Sequence, residues 1–331
     1  MKAIEIKQYG GDEQLEMVDV SQPKAGKRQL VVRVLATSYN PIDPKRTSGA
    51  MRQIFPLQFP FVPGGDFSGV VDSVGAGVEG FQPGDEVYGY SMAGGAYAEY
   101  IAIDEDKVAL KPKSLNHIES ASLALVAQTA LQMLDRSGVQ KGQIVLIHGA
   151  GGAVGGVAVQ VAHHRGATVI GTAAAASLQR VKEYGADQVI DYAASPFEKS
   201  VQSVDAVLDT VGGDVQQRSF GVLKPGGVLV AITQPPSEEQ AAKYHVRASM
   251  LVTEVTSASL RTVAQLVDAG EIKPCVGKVY PLSEVASAWR ESRSNQVEGK
   301  IVFKVGADTQ RERELEQPSA SSATRSATSG N

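Results

Sequence analysis

Residues 146–156, LIHGAGGAVGG, decide the fold, because a Gly-x-x-Gly-x-x-Gly pattern at 149–155 stands between a short apolar strand and a helix. The preceding QIVLIH (143–148) is predicted to be a buried strand, and VGGVAVQVAHHRG (154–166) has helical apolar spacing. Such a loop brings its backbone close to a pyrophosphate and presents the unpaired N–H groups of the helix N-terminus. The alternative is a tight turn that binds nothing. The stretch predicts a dinucleotide site that includes Gly151, Gly152, Ala153 and Val154.

The second strand of this predicted unit indicates which dinucleotide it takes. ATVIGT (167–172) is followed by alanines, and not by the Asp or Glu that binds the adenosine ribose hydroxyls at NAD sites. Arg180, on the next predicted helix, is placed to pair with a 2′-phosphate through a charge-assisted contact. We therefore expect NADPH as the cofactor, with Thr172 and Ala173 at the end of the strand beside it. The alternative is an Arg180 that is simply solvated.

Strand and helix patterns alternate through the middle of the chain. IESASLALVAQTALQMLDRSG (118–138) predicts one continuous helix, DVQQRSFGVLKPGG (214–227) predicts another, and SMLVTEV (249–255) predicts a strand. Alternation of β and α elements implies a parallel sheet with helices on both faces. The predicted fold class is α/β, with a doubly wound Rossmann sheet over residues 122–255.

The flanking segments differ from this pattern. Residues 1–121 contain short strands between Gly/Pro turns, which predicts a β-rich domain with little helix. Residues 256–305 carry too few strands for a domain of their own, so we expect them to pack back onto the β-rich part. Residues 306–331 lack aromatics and have Leu315 as their one large aliphatic residue, which predicts a disordered tail.

Composition excludes several classes of function. The 331 residues are 43% hydrophobic and 21% charged with a net charge of −4, so no nucleic-acid or anionic-membrane partner is expected. The N-terminal sequence lacks a secretory pattern, and the apolar runs are too short for a bilayer, so the expected location is cytoplasmic. A single cysteine, Cys275, excludes an intrachain disulfide and a multi-thiolate zinc site. Adjacent His163 and His164 cannot share a metal-binding face of a helix, and no metal is predicted.

A set of motifs, taken together and in order, resembles the medium-chain dehydrogenase/reductase superfamily over about residues 1–305. The motifs are SYNPIDPKRTSG (38–49), FPFVPGGDFSGVV (59–71), GDEVYGY (84–90), GGAYAEY (94–100) and GKIVF (299–303), together with the glycine loop. The resemblance implies that the β-rich part is a GroES-like catalytic domain.

Departures from the zinc-dependent members point to one branch of that superfamily. Where those members carry a ligand cysteine and Gly-His-Glu, this chain has Ser38 and Gly64-Gly65-Asp66, and the four-cysteine lobe is missing. The chain is therefore similar to the zinc-free quinone oxidoreductases and alkenal/enone reductases. The Asn-Pro-Ile-Asp-x-Lys pattern at 40–45 is closer to the enone reductases.

The resemblance also implies roles for individual residues. Asn40 and Lys45 are expected catalytic residues. Tyr90 is a third candidate, as a proton donor or a substrate platform, although most tyrosines in such strands pack. The cofactor is expected to contact Asn40, Lys45, Thr129, Arg180, Tyr192, Val211, Ile232, Thr233, Val252 and Lys300. Simpler roles stay open: Asn40 as a cap of the turn before Pro41, Lys45 as a solvated residue or a partner of Asp43, and Tyr192 as strand-edge packing.

The expected function is a zinc-independent, NADPH-dependent reductase of quinones or of the C=C bond of α,β-unsaturated carbonyl compounds. Conjugation already links the carbonyl of such acceptors to the carbon that takes the hydride, so hydrogen-bond donors at the oxygen can replace a metal. The expected partner is a small electron acceptor, and the expected assembly is a homodimer. Two alternatives remain: a non-catalytic NADPH-binding protein with a structural or regulatory role, and an enoyl-thioester reductase.

Overall fold

Two large sheets organise the chain in the computed structural model, which describes residues 1–293 and 297–306. One sheet has six strands and the other has seven. Within those ranges, no helix is long and apolar enough to cross a membrane. Apart from Gly306, the tail for which disorder was predicted lies outside the described residues.

The N-terminal part forms most of the seven-stranded sheet, as its alternating strand pattern predicts. Its elements in chain order are β1 (Lys2–Glu5), β2 (Glu16–Asp19), β3 (Gln29–Ser38), α1 (Ile42–Thr47), β4 (Asp66–Val74), β5 (Glu86–Tyr90), β6 (Tyr100–Asp104) and β7 (Val108–Leu110). Strand β3 is central and pairs antiparallel with both β4 and β6. Strands β1 and β2 form a separate antiparallel pair.

The middle of the chain forms the six-stranded sheet, in which every pair is parallel. Its elements are α2 (His117–Ala121), α3 (Ala124–Ser137), β8 (Ile144–His148), α4 (Ala153–His164), β9 (Thr168–Ala173), α5 (Leu178–Glu183), β10 (Gln188–Asp191), β11 (Val204–Asp209), α6 (Gly213–Ser219), β12 (Leu223–Ala231), α7 (Glu238–Lys243) and β13 (Arg247–Met250). The strand order β10-β9-β8-β11-β12-β13 is that of a Rossmann sheet, with its switch point between β8 and β11. The predicted doubly wound sheet is confirmed.

The last part of the chain returns to the first sheet. Its elements are α8 (Ser257–Asp268), β14 (Val276–Pro281), α9 (Val285–Ser292) and β15 (Lys300–Lys304). Strand β15 pairs antiparallel with β3 and parallel with β14. Trp289 of α9 is fully buried beside Tyr97 and contributes to the core of the seven-stranded sheet. Helix α9 and strand β15 therefore pack onto the β-rich part, whereas α8 contributes Val263 and Val267 to the core of the six-stranded sheet.

Both faces of the six-stranded sheet are buried, which explains why its strands are nearly continuous apolar runs. On β8, Val145 and Ile147 belong to the core that includes residues of α3 and α4. Leu146, between them, belongs to the opposite core around Phe220. Alternate residues of a strand face opposite sides, so helices on both faces are required to cover them.

The prediction of one helix over 118–138 is wrong, because the segment is broken between α2 and α3. Ser122 ends α2, where its hydroxyl donates to the Glu119 carbonyl, and Leu123 precedes the first residue of α3. The break leaves the backbone N–H of Leu125 free to donate to the buried carboxylate of Asp66, 2.8 Å away. A contact between residues so far apart in sequence is invisible to local helical spacing.

Two further boundaries differ from the sequence predictions. The helix predicted over 214–227 ends at Ser219, and the chain joins the sheet at Leu223, which pairs with Val204. The strand predicted over 249–255 ends at Met250. After it, the Thr253 hydroxyl and the Glu254 backbone bond to side chains of α3, so the chain leaves the sheet. The short helices α1 and α7 were not predicted.

Candidate active site

A cleft of about 960 Å³ lies between the two sheets, at the carboxyl ends of the parallel strands. Ligand sites in open α/β sheets occur at this edge. It is lined by the predicted site residues Asn40, Lys45, Tyr90, Thr129, Gly151, Gly152, Ala153, Val154, Thr172, Ala173, Tyr192, Val211, Ile232, Thr233, Val252 and Lys300. Arg180 is the predicted residue that does not line it.

The glycine loop forms one wall of the cleft, and its shape depends on glycine. Gly149 has a φ of 69°, and a Cβ there would lie 2.4 Å from Oγ1 of Thr210. A Cβ on Gly155 would lie 2.2 Å from the Gly149 carbonyl oxygen. Gly152 is the N-cap of α4, a helix of 12 residues, and it has no side chain that could accept a hydrogen bond. The first backbone N–H groups of α4 therefore face the loop without a capping side chain. The loop is thus a cradle for an anionic pyrophosphate.

Exposed apolar side chains continue this wall along the strand ends. Tyr192, Val211 and Val252 are 62%, 50% and 67% exposed, although they line a concave surface. Such surfaces suit the flat faces of an adenine or a nicotinamide ring. The hydroxyl of Thr233 is buried there with no hydrogen-bond partner among the described residues. Together with the glycine cradle, these features fit a dinucleotide.

Arg180 lies behind the glycine loop. Its guanidinium pairs with Glu298 at 2.9 Å and donates to the Gly151 carbonyl and the Ser177 hydroxyl, each at 3.1 Å. In this arrangement the guanidinium is engaged by Glu298 and does not line the cleft. The role assigned to Arg180 from the sequence therefore stays a prediction.

The arginine that lines the cleft is Arg218, which sequence reasoning missed. It pairs with Glu198 at 2.6 Å and with Asp214 at 2.7 Å, and its guanidinium lies over the Phe197 ring. His148, also missed, is buried beneath this end of the cleft between the hydroxyls of Thr172 and Ser219. Burial lowers the pKa of His148 to about 4, so its ring is neutral at physiological pH.

The opposite wall is built around the fully buried carboxylate of Asp66. Its Oδ2 accepts from the Ser38 hydroxyl and the Asn40 amide, each at 2.8 Å, and pairs with Nζ of Lys300 at 3.2 Å. Its Oδ1 accepts from the backbone N–H of Leu125. Lys300 also donates to the side-chain oxygen of Asn40. The carboxylate therefore fixes both the amide and the ammonium that line the cleft.

Strand register brings these residues together. Ser38, the last residue of β3, pairs with Asp66, the first residue of β4, and with Val302 of β15. Lys300 opens β15, so the three strand ends meet at one point. Sequence reasoning treated Asp66 only as a departure from the zinc-dependent pattern. The available signal was an acidic residue at the start of an apolar strand, because a buried carboxylate has to be paired.

The structure gives Asn40 contacts other than a cap of the turn before Pro41, and it leaves the solvated role of Lys45 open. The carboxylate of Asp43, and not Asn40, caps the turn by accepting from the Asn40 backbone N–H at 2.9 Å. Asp43 also accepts from the Tyr97 hydroxyl at 3.2 Å, whereas Lys45 lies exposed at the rim of the cleft. Burial raises the pKa of Asp43 to about 7. Asp43 is therefore a titrating group beneath the cleft and Lys45 a cation at its mouth.

Two family models match the chain. An alcohol dehydrogenase GroES-like domain matches residues 26–113, and a zinc-binding dehydrogenase domain matches residues 184–303. The expected GroES-like domain is confirmed by the first match.

Similar proteins include two plant reductases. A 2-methylene-furan-3-one reductase of Solanum lycopersicum is 33% identical over 320 residues, which are 92% of this chain and 79% of that protein. An NADPH-dependent alkenal/one oxidoreductase of Arabidopsis thaliana is 33% identical over 91% of this chain and 79% of that protein.

Solved structures agree with the fold over nearly the whole chain. The quinone oxidoreductase of Coxiella burnetii superposes with a TM-score of 0.86 at 34% identity, covering 92% of this chain and 99% of that chain. The quinone oxidoreductase of Escherichia coli, complexed with NADPH, superposes with a TM-score of 0.84 at 26% identity, covering 92% of this chain and all of the other.

The side chains of the cleft do not suit the zinc ion named in one family model. Ser38 offers a hydroxyl and Gly65 no side chain, while Asp66 is already bonded by four donors. Throughout residues 1–293 and 297–306, no three His, Cys, Asp or Glu side chains are grouped so as to hold a metal ion. Zinc prefers thiolate and imidazole ligands, and this set supplies neither.

Replacing Asp66 by Asn should destabilise the protein strongly, because the Lys300 ammonium would stay buried without its anion. We expect Asp66→Asn to lower the free energy of unfolding by about 3 kcal/mol. Ser38→Ala, which removes one neutral donor from the same oxygen, should cost only about 1 kcal/mol. Chemical denaturation measures both. If both variants lost the same free energy of unfolding, the special importance of the Asp66 charge would be contradicted.

Asp43 should make the protein less stable as the pH rises. Because its pKa is raised from 3.8 to about 7 on folding, the folded state binds more protons between these values, and stability falls across this window. The melting temperature of the wild type relative to Asp43→Asn should therefore decline from pH about 5 to about 8. The same change at the exposed Asp72 is the control. If the melting temperatures of the wild type and Asp43→Asn changed in parallel with pH, the raised pKa of Asp43 would be contradicted.

Proposed function

The chain belongs to the medium-chain dehydrogenase/reductase superfamily and is an NADPH-dependent oxidoreductase, and we propose that it reduces α,β-unsaturated carbonyl compounds or quinones without zinc. The observation that carries the proposal is the pairing of two walls across one cleft. A glycine cradle at a helix N-terminus faces the buried Asp66–Asn40–Lys300 network.

The glycine-loop wall is assigned to the cofactor, which supplies a hydride when bound. Gly151, Gly152 and the first turn of α4 would hold the pyrophosphate, since their N–H groups and the helix dipole favour an anion. Thr129 and Val252 line the part of the cleft nearer the network, where the nicotinamide is proposed to lie. Tyr192 lines the adenosine end, past the carboxyl end of β10.

We assign two tasks to the wall that contains the Asp66 network. It orients the acceptor at the reacting end of the cleft, and it supplies positive charge there. Asn40 and Lys300 are both buried and hold each other in place through Asp66. Lys45 provides a second positive charge, at the exposed mouth. Groups fixed before the reaction stabilise developing charge without reorganising, which is the main contribution a protein makes to this kind of step.

Zinc independence follows from the match between acceptor and site. An enone or quinone conjugates its oxygen with the carbon that gains the hydride, so the negative charge is delocalised as an enolate or a phenolate, which hydrogen-bond donors can stabilise. An unconjugated ketone would give a localised, more basic alkoxide and favours a metal. The homodimer and the cytoplasmic location expected from the sequence stay predictions.

The test compares acceptors by following the loss of reduced-nicotinamide absorbance. NADPH should be oxidised with a short-chain enone or a simple quinone. Gly155→Ala should abolish both NADPH binding and turnover, because its Cβ collides with the Gly149 carbonyl. Gly221→Ala, whose Cβ would come no closer than 3.8 Å to another residue, is the matched control and should behave as wild type.

Other outcomes would redirect the assignment. Turnover of an enoyl thioester alone would favour an enoyl-thioester reductase. Tight NADPH binding without oxidation by any of the three acceptors would favour a non-catalytic role.

A further inference from the structure

The ring of Tyr90 stands over the backbone of Gly65. A Cβ built on Gly65 would lie 2.4 Å from Cε2 and 2.9 Å from Cδ2 of Tyr90, so no larger residue fits at position 65 while the ring stays where it is. Tyr90 ends β5 and pairs in register with Asp66 of β4. The ring therefore occupies the space that a side chain at 65 would need, directly beside the buried network.

Tyr90 lines the cleft, and its hydroxyl has only a weak protein partner. The residue is 5% exposed, and its hydroxyl reaches the Met92 sulfur at 3.8 Å. A thioether is a poor acceptor. Burial, and the nearby carboxylates of Asp43 and Asp66, raise the pKa of Tyr90 well above its usual value. The phenol thus keeps its proton and stays a donor at physiological pH.

Other buried donors at this end of the cleft are already engaged with protein oxygens. The Asn40 amide donates to Asp66, and the Thr129 hydroxyl donates to the Leu125 carbonyl at 2.9 Å. Lys300 donates to Asn40 and pairs with Asp66. Among Asn40, Thr129, Lys300 and Tyr90, Tyr90 is the one that donates to no protein oxygen.

Apolar side chains lie near Tyr90 in the cleft. Met92 and Leu125 pack against the cluster that contains Tyr90 and also line the cleft, as do Met51 and Phe55. A hydrogen bond to a developing negative charge is stronger where little water competes. The position therefore combines a neutral donor with apolar neighbours.

We propose that Tyr90 donates the hydrogen bond that stabilises the acceptor's oxygen during reduction, and that Gly65 is required because it leaves room for the Tyr90 ring. The inference rests on the proposed function. When the acceptor's β-carbon gains a hydride, the C=C electron pair shifts toward the carbonyl carbon and the C=O pair moves onto oxygen. Tyr90 meets that negative charge and keeps its own proton. Water supplies the proton that the product gains at the α-carbon.

Tyr90→Phe tests the donor while keeping the ring. It should lower kcat/KM for the enone about 100-fold and leave the Kd of NADPH unchanged. Affinity for p-nitrophenolate, used as a mimic of the enolate oxygen, should fall at least about 10-fold. Tyr88→Phe is the matched control, because Tyr88 lies on the same strand with its hydroxyl bonded to the Leu260 carbonyl, away from the cleft. Tyr88→Phe should leave kcat/KM, the Kd of NADPH and the affinity for p-nitrophenolate unchanged.

Gly65→Ala provides an independent variant. Displacing the Tyr90 ring should reproduce most of the loss, and combining it with Tyr90→Phe should add little. Wild-type turnover by Tyr90→Phe, or an equal loss of NADPH affinity in that variant, would overturn the assignment. If the wild type reduced neither acceptor class, the proposed function would fail, while p-nitrophenolate binding would still decide whether Tyr90 is an oxyanion donor.

Discussion

The carboxylate of Asp66 is the contact on which the rest of the site depends. It joins the ends of β3, β4 and β15 through Ser38, Asn40 and Lys300, and it accepts from the backbone N–H of Leu125 in the first turn of α3. Those elements come from the beginning, the middle and the end of the chain. One buried charge therefore fixes how the returning C-terminal segment meets the β-rich part, and it separates α2 from α3.

A buried acid of this kind constrains the chemistry as well as the fold. Unpaired, the carboxylate would cost several kcal/mol on transfer from water, so its partners are held firmly. Two of them, Asn40 and Lys300, line the cleft, so their side chains are held firmly in place there. Tyr90, opposite Asp66 in the sheet, adds a neutral donor in the space left by Gly65. In the proposed function, this arrangement would supply fixed positive charge and a hydrogen bond where a conjugated acceptor gains negative charge.

Local sequence patterns were sufficient to predict the nucleotide-binding half. The strand–loop–helix around Gly149–Gly155 and the alternating elements after it gave the parallel sheet and its cleft, because each depends on neighbouring residues only. The break between α2 and α3, the Asp66 network and the ion pair of Arg180 with Glu298 depend on residues from 26 to 234 positions apart. No periodicity or spacing encodes such pairings. Motifs shared with the superfamily indicated Asn40, Lys45 and Lys300, but not the carboxylate that holds two of them.

We propose that the Asp66 network and Tyr90 together take the place of a catalytic zinc ion in this chain. The most direct measurement is the metal content of purified, active protein, determined on the same sample in which NADPH oxidation by an enone is recorded. Full turnover in protein carrying far less than one zinc ion per chain is the predicted result. Activity that rises and falls in proportion to bound zinc would contradict the claim.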